Sequence, residues 1–215
     1  MPSPPVAAAG RPTRDAAEQL LARIHEAARV EFLARGIEGA SMEGIATAAG
    51  CSKLTLYRRF GTKQELFKAL IKARSPDYGQ RFHVDVTQHP EQVLYRLGLG
   101  IAAFFFKPDN LKLIRLVVAE MSRVEGLAEM MKEEGDRFRE PVRACLEELK
   151  RRGHGKFDDP TLAAIQFINL CVLGHFYLIA GYTADQVSPE QQEKLVRAAV
   201  TLFVATHFPE AGSTS

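Results

Sequence analysis

Between Ser41 and Phe60 the chain has room for only two short helices separated by a sharp turn. Ser41 and Ser52 are good helix N-caps, and Gly50, which tolerates left-handed backbone, lies between the segments they open. Ile45, Ala46 and Ala49 give the first segment its inner face. On the second, Lys53 to Phe60, a helical step of about 100° per residue sorts side chains that are interleaved in the sequence. Leu56 and Phe60 share one side, Leu54, Thr55, Arg58 and Arg59 the opposite arc, and Lys53 and Tyr57 one flank. A second helix with an apolar edge and a cationic, hydroxylic face is the helix-turn-helix arrangement that lays a recognition helix in the major groove.

The remaining segments are helical as well. Leu20, Leu21, Ile24, Ala28 and Phe32 recur at helical spacing from about Arg14, and Gly36 closes that helix. Thr62 caps a fourth helix with Leu66, Phe67, Leu70 and Ile71 inward, ending at the Ser75-Pro76 break. Longer elements follow: Pro90 to Phe106, Asp109 to Gly126, a long helix to about Arg152 with a kink at Pro141, Asp159-Pro160 to about Tyr182, and Ser188-Pro189 to His207. No alternating strand pattern and no internal repeat is found. The expectation is an all-α chain. A flexible arm spans 1–13, a helix-turn-helix unit 14–75, a larger helical domain 76–208 and a tail 209–215.

Charge follows the same division. Residues 1–75 carry 12 Lys and Arg against 7 Asp and Glu, and the remaining 140 carry 16 against 19. From Gly50 to Arg74 there are seven cations and one anion, Glu65. A local basic patch on a small unit is the footprint of a polyanion binder. Cys51, Cys145 and Cys171 are an odd number without C-x-x-C spacing, which suggests neither a disulfide framework nor a zinc site and suits a reducing cytoplasm. Residues 1–10 lack the basic and apolar regions of a secretory signal.

The run "ASMEGIATAAGCSKLTLYRRFGTKQELFKAL" resembles the N-terminal domain of TetR-family bacterial transcriptional regulators. The match runs in register through Ser41, Ile45, Ala46, Ala49, Gly50, Ser52, Leu56, Tyr57, Phe60, Lys63 and Leu66. Departures are Cys51 in place of the usual Val, Leu54 for a small residue, Arg59 for His or Tyr, and Ile37 for an aromatic. By position, the resemblance implies that Ser41, Tyr57 and Lys63 hold the phosphate backbone, and that Lys53, Leu54, Thr55 and Arg59 reach base edges. Arg58 suits either role and is grouped with the phosphate contacts. Lys or Arg can donate to guanine O6 and N7, and an outward Leu can meet a thymine methyl. "GRPTR" in the arm places Arg11 and Arg14 as candidate minor-groove residues beside the alternative of a plain tail.

Pro90 to Phe208 resembles, more loosely, the C-terminal domain of a TetR subgroup of efflux and stress repressors. Between Asp159 and Asp185 stand 25 residues without a charge. Gln166, Asn169 and His175 interrupt them and no cationic cluster flanks them, which argues against a membrane span. A helix apolar all round must be buried by something else, and a second subunit is expected to cover it, as the family's four-helix dimer interface implies. A homodimer on an inverted repeat follows, because one recognition helix reads only a few base pairs. Phe104, Phe105, Met121, Phe138, Phe167, Cys171 and His175 supply aromatic, soft and weakly polar lining for a small, largely apolar effector. The competing class is a helical enzyme or cofactor-binding protein with an attached DNA-binding unit. Against it, the chain has no H-E-x-x-H, G-x-S-x-G, Glu-x-x-His pair or phosphate-cradling Gly loop, so no catalytic residue, metal or cofactor is expected.

Overall fold

The computed structural model describes residues 14–74, 78–172 and 188–208. The arm 1–13, the Ser75-Pro76 break, His175, the expected end of the apolar helix at Tyr182 and the tail 209–215 lie outside them. The described residues form helices and no strand. In chain order these are α1 (Arg14–Gly39), α2 (Met42–Ala49), α3 (Lys53–Phe60), α4 (Lys63–Arg74), α5 (Tyr78–Arg81), α6 (Pro90–Phe105), α7 (Pro108–Glu120), α8 (Leu127–Arg151), α9 (Pro160–Val172) and α10 (Pro189–His207). Two compact units divide the chain, Met1–Ala73 and Arg74–Ser215.

In the first unit, α1 buries Ile24, Ala28, Phe32 and Ile37, a stripe at helical spacing. Its helical backbone breaks at Gly36, whose φ of 68° suits a residue without a Cβ. Helix α1 packs on α2, and α2 on α3. From α4, Leu66, Phe67, Leu70 and Ile71 turn inward, and Phe67 meets Phe32 edge-on with ring centroids 5.4 Å apart.

In the second unit, α6 packs against α9 and α10, and α8 against α9 and the short α5. Helix α6 can approach both neighbours because Gly98 carries no side chain. A Cβ there would lie 2.7 Å from Val196 Cγ1 and 3.2 Å from Cys171 Sγ. Helix α7 stops at Glu120, six residues before the Gly126 expected from the sequence. The Arg123 and Val124 N–H groups return to the Glu120 carbonyl at 2.9 and 3.0 Å, and Gly126, with φ 71°, opens α8. Helix α8 continues through Pro141. The loop after it is tied down by Lys156 N–H donating to the His207 carbonyl at 2.6 Å and by Lys150 Nζ donating to the Phe157 carbonyl at 2.7 Å. Ser188 and Gln191 form a reciprocal capping box at the start of α10.

The close crossing at Gly98 makes a direct prediction. Val196 is stiff and fully buried, so Gly98→Val has no flexible neighbour to displace. The substitution is expected to destabilise the second unit by about 1–3 kcal/mol, read as a lower urea midpoint. An unchanged midpoint would show that α6 and α10 separate without cost.

Candidate nucleic-acid interface

The backbone between Ser41 and Phe60 is built from local caps. Ser41 Oγ accepts from the Gly44 N–H at 3.1 Å, and Ser52 Oγ from the Thr55 N–H at 3.0 Å. Gly50 ends α2 in the left-handed region with φ 69°, and Cys51 N–H reaches back to the Ala46 carbonyl at 3.0 Å. Arg23 on α1 donates from Nε to the Ala49 carbonyl at 3.0 Å, so a positive side chain closes the C-terminus of α2. Glu31, also on α1, accepts the Ser41 N–H at 3.0 Å. Both ends of α2 are thereby fastened to the long helix beneath it.

Held this way, α3 shows the sides expected from its phase. Leu56 is fully buried, Phe60 is half-buried against His25 with centroids 6.3 Å apart, and Leu54 is 63% exposed. Arg58 and Arg59 are exposed, as is Lys53, whose Nζ is 3.4 Å from Glu43 in an ion pair open to water. Such a pair is weak enough for a phosphate or base to replace it. Thr55 differs from the others expected at base edges. It is half-buried, and its hydroxyl is 2.8 Å from Ser52 Oγ, so its polar group is shared with the cap.

Ser41, Tyr57 and Lys63 come together. With Glu43, Lys53, Thr62 and Gln64 they line one open groove formed by the first turns of α2 and α4 and by α3. The N–H groups of Met42 and Glu43, and of Lys63 and Gln64, precede the first intrahelical bonds of their helices and give the groove the positive end of two helix dipoles. Tyr57 is 42% exposed there. Lys63 Nζ is held over the end of α1 by the Glu38 carbonyl, with the Glu38 carboxylate 3.8 Å away. An aromatic hydroxyl, an ammonium and two helix N-termini around one open groove are chemically able to accept an anion.

Sequence reasoning missed Arg23, Glu31, Glu38 and Gln64. Their contacts cross 10 to 26 positions of sequence, and no local pattern signals such a partner. Gln64 was within reach, since it follows the legible cap Thr62 by two residues.

In the second unit the residues expected to line a pocket separate into groups. The Phe138 ring stands 5.6 Å from Phe104 and 5.2 Å from Phe105, joined by Tyr78 and Phe82, each at 5.1 Å. Phe167 and Cys171 instead pack at the Gly98 crossing, with Phe167 5.1 Å from Phe203. Met121 is half-buried at the end of α7, and His175 lies outside the described residues. Burial pushes the Cys171 thiol up to about 12 and that of Cys145 to about 11, which keeps both protonated and unreactive at neutral pH.

Among the described residues no group of three His, Cys, Asp or Glu could hold a metal ion, and no helix is long and apolar enough to cross a membrane.

Residues 24–70 match the model of the bacterial regulatory proteins of the tetR family, and residues 92–207 that of the AefR-like transcriptional repressor C-terminal domain. The chain belongs to the TetR family. Its helix-turn-helix unit is therefore the DNA-binding unit of a transcriptional regulator. Among curated proteins, the HTH-type transcriptional repressor SCO4008 of Streptomyces coelicolor is 38% identical over 68 residues, 32% of this chain and 35% of that one. The aligned part thus spans about a third of that relative's length. Among solved structures, a putative TetR-family regulator from Mesorhizobium loti superposes with TM-score 0.83 at 27% identity, over 91% of this chain and 99% of that one. The flavonoid-responsive regulator FrrA gives 0.73 at 26% identity, over 90% of this chain and 100% of that one. A TetR regulator from Agrobacterium tumefaciens gives 0.72 at 25% identity, over 89% and 95%.

His25 adds a pH dependence to the first unit. Its Nε2 is buried without a hydrogen-bond partner. Burial first, and then the Arg59 guanidinium, hold the imidazole below its ordinary value of 6.5. The folded unit therefore binds this proton less readily than the unfolded chain does. Stability from His25 is complete above about 6.5 and falls as pH drops from there toward the lower folded value. Thermal denaturation of the wild type between pH 7.5 and 5 should show a decline that His25→Leu reduces; identical slopes for the two proteins would contradict the assignment.

Proposed function

We propose that this TetR-family regulator is a repressor that binds a palindromic operator as a homodimer and releases it when a small, largely apolar effector enters the second unit. The observation that carries the DNA half is the groove uniting Ser41, Tyr57 and Lys63 beside an exposed helix face of Lys53, Leu54, Arg58 and Arg59. Phosphate contacts in the groove fix orientation, and the outward side chains of α3 read base edges. With its hydroxyl on the cap, Thr55 offers a base chiefly its methyl group.

Dimerisation has its own support. Leu162 and Leu170 on α9 and Leu202 on α10 are 51, 37 and 60% exposed, large apolar side chains on two helices that pack together. A second copy laid on this face buries them and sets two recognition helices for successive half-sites. The effector half rests on the aromatic group around Phe138, and the similarity to a flavonoid-responsive regulator favours an aromatic effector. Release then requires a coupling free energy between the two sites, so operator DNA weakens effector binding by the same factor. Cytoplasmic action follows from the need to reach the genome.

Two experiments test this function. Fluorescence anisotropy on an operator duplex and on a shuffled duplex separates the roles of α3 and the groove. Lys63→Ala should weaken both duplexes and flatten the salt dependence by about one unit per lost contact, whereas Arg59→Ala should narrow the gap between them. The reverse pattern would refute the two roles. Sedimentation tests the dimer: Leu202→Glu should shift the protein toward monomer at micromolar concentration and reduce operator affinity by at least about tenfold, since a monomer engages one half-site. A Leu202→Glu dimer of normal affinity would move the interface elsewhere.

A further inference from the structure

His25 is the one histidine in residues 1–74; the other five, His83, His89, His154, His175 and His207, belong to the second unit. It is half-buried on α1 beside the core residues Ile24 and Ala28, and its Nε2 is buried without a hydrogen-bond partner. Its ring meets that of Phe60, the last residue of α3, with centroids 6.3 Å apart and planes tilted by 53°. Imidazole is the side chain whose charge ordinarily changes between pH 5 and 8. The titrating ring of the first unit is thus placed against the end of the recognition helix, and the contacts proposed with DNA make no use of it.

The charged groups of the surrounding helices differ in what DNA can do to them. On α1 itself, Glu26 and Arg29 bond to one another at 2.6 and 2.9 Å, and Arg23 is held at the Ala49 carbonyl. Glu43 of α2 pairs with Lys53, and Lys63 and Lys68 of α4 pair with Glu38 and Glu65. Arg59 precedes Phe60 on α3, and it is the group that both acts electrostatically on His25 and stands on the outward arc offered to DNA. In the free protein, burial and this guanidinium together disfavour the imidazolium. A phosphate or base acceptor brought to Arg59 offsets the guanidinium and leaves the burial unchanged. The imidazolium then forms more easily in the complex than in the free protein.

We infer that His25 couples operator binding to proton uptake: when DNA engages Arg59, the imidazole of each protomer accepts a proton from solvent, and operator affinity rises as the pH falls. His25 acts through Arg59, as a positioning residue. The coupling rests on the proposed contact of α3 with operator DNA and adds a chemical signal that modulates it. Above about 6.5 the ring is neutral in both states, and affinity is independent of it. Below that value the complex holds a proton that the free protein binds less readily, so affinity climbs until the free protein is protonated too. The unfolded chain, which lacks the burial, binds the proton more readily still. Mild acid therefore strengthens the hold on DNA while it lowers the stability of the first unit.

Anisotropy on an operator duplex tests it with the full-length protein, at fixed ionic strength and from pH 7.5 to 5, over the range in which circular dichroism shows each protein folded. Wild-type affinity is expected to rise by at least about fivefold, the low end of ordinary coupling between two sites. His25→Gln, or His25→Leu if the first does not fold, should give a flat profile. Arg59→Gln keeps the imidazole and removes the guanidinium, and it should lose the rise in addition to binding more weakly. Isotope labelling of histidine supplies a direct readout by NMR. The His25 resonance, assigned by its loss in His25→Gln, should titrate at a higher pH in the operator complex than in the free protein, and this comparison still decides if the first unit unfolds before pH 5. A flat wild-type profile, an affinity that drops as the pH is lowered, a rise that survives in any of the substitutions, or a His25 titration unmoved by DNA would each overturn the inference and leave operator binding standing. No binding at any pH would remove the proposed function together with the coupling.

Discussion

The turn at Gly50 sets where the recognition helix goes, and the rest of the first unit is arranged to hold that turn. Its left-handed backbone lets α2 end and α3 begin within three residues. Glycine permits that conformation but does not enforce it. Enforcement comes from Arg23 on the Ala49 carbonyl, Glu31 on the Ser41 N–H, and the packing of Ile45, Ala46, Ala49 and Leu56. Without them two eight-residue helices would be marginal in water, since short helices depend on tertiary contacts for most of their stability. The recognition surface is thus positioned by α1, a helix in which only Arg14, at its first residue, is a candidate for contact with DNA.

Electrostatics divides the surface by task. The groove between the starts of α2 and α4 gathers an ammonium, an aromatic hydroxyl and helix N-termini, which favour an anion without reading sequence, beside Glu43, whose carboxylate is paired with Lys53. The exposed arc of α3 carries Leu54, Arg58 and Arg59, whose chemistry can distinguish bases. Glu43 holds Lys53 through an exposed pair that costs little to exchange, whereas Lys63 is half-buried and held by the Glu38 carbonyl as well as its carboxylate. A charge bound more firmly in the free protein would have less to gain from DNA.

The helix-turn-helix was legible because its signals are local: two serine caps, one glycine, and apolar residues at helical phase. For the same reason the bounds of α2, α3 and α10 agree closely with expectation. Phase also separated Leu56 from Leu54, though Phe60 is only half-buried because it ends α3 beside His25. Features that arise where distant segments meet were not legible. Helix α5 is too short for periodicity, α7 ends early because the chain turns at Glu120, and Glu134 reads in sequence as one more charge on a charged helix. Its burial is visible only once α8 is placed against its neighbours. The aromatic residues were recognisable as a set, but only the fold divides Phe104, Phe105 and Phe138 from Phe167 and Cys171.

The central claim is that two copies of α3, each oriented by its phosphate groove, read the two halves of a palindrome. Selection of bound duplexes from a random pool by the wild-type protein tests it most directly. The account predicts enrichment of an inverted repeat whose half-site centres are separated by about one helical turn of DNA, or a multiple of it. Enrichment of a single unpaired half-site, or of no sequence at all, would contradict it.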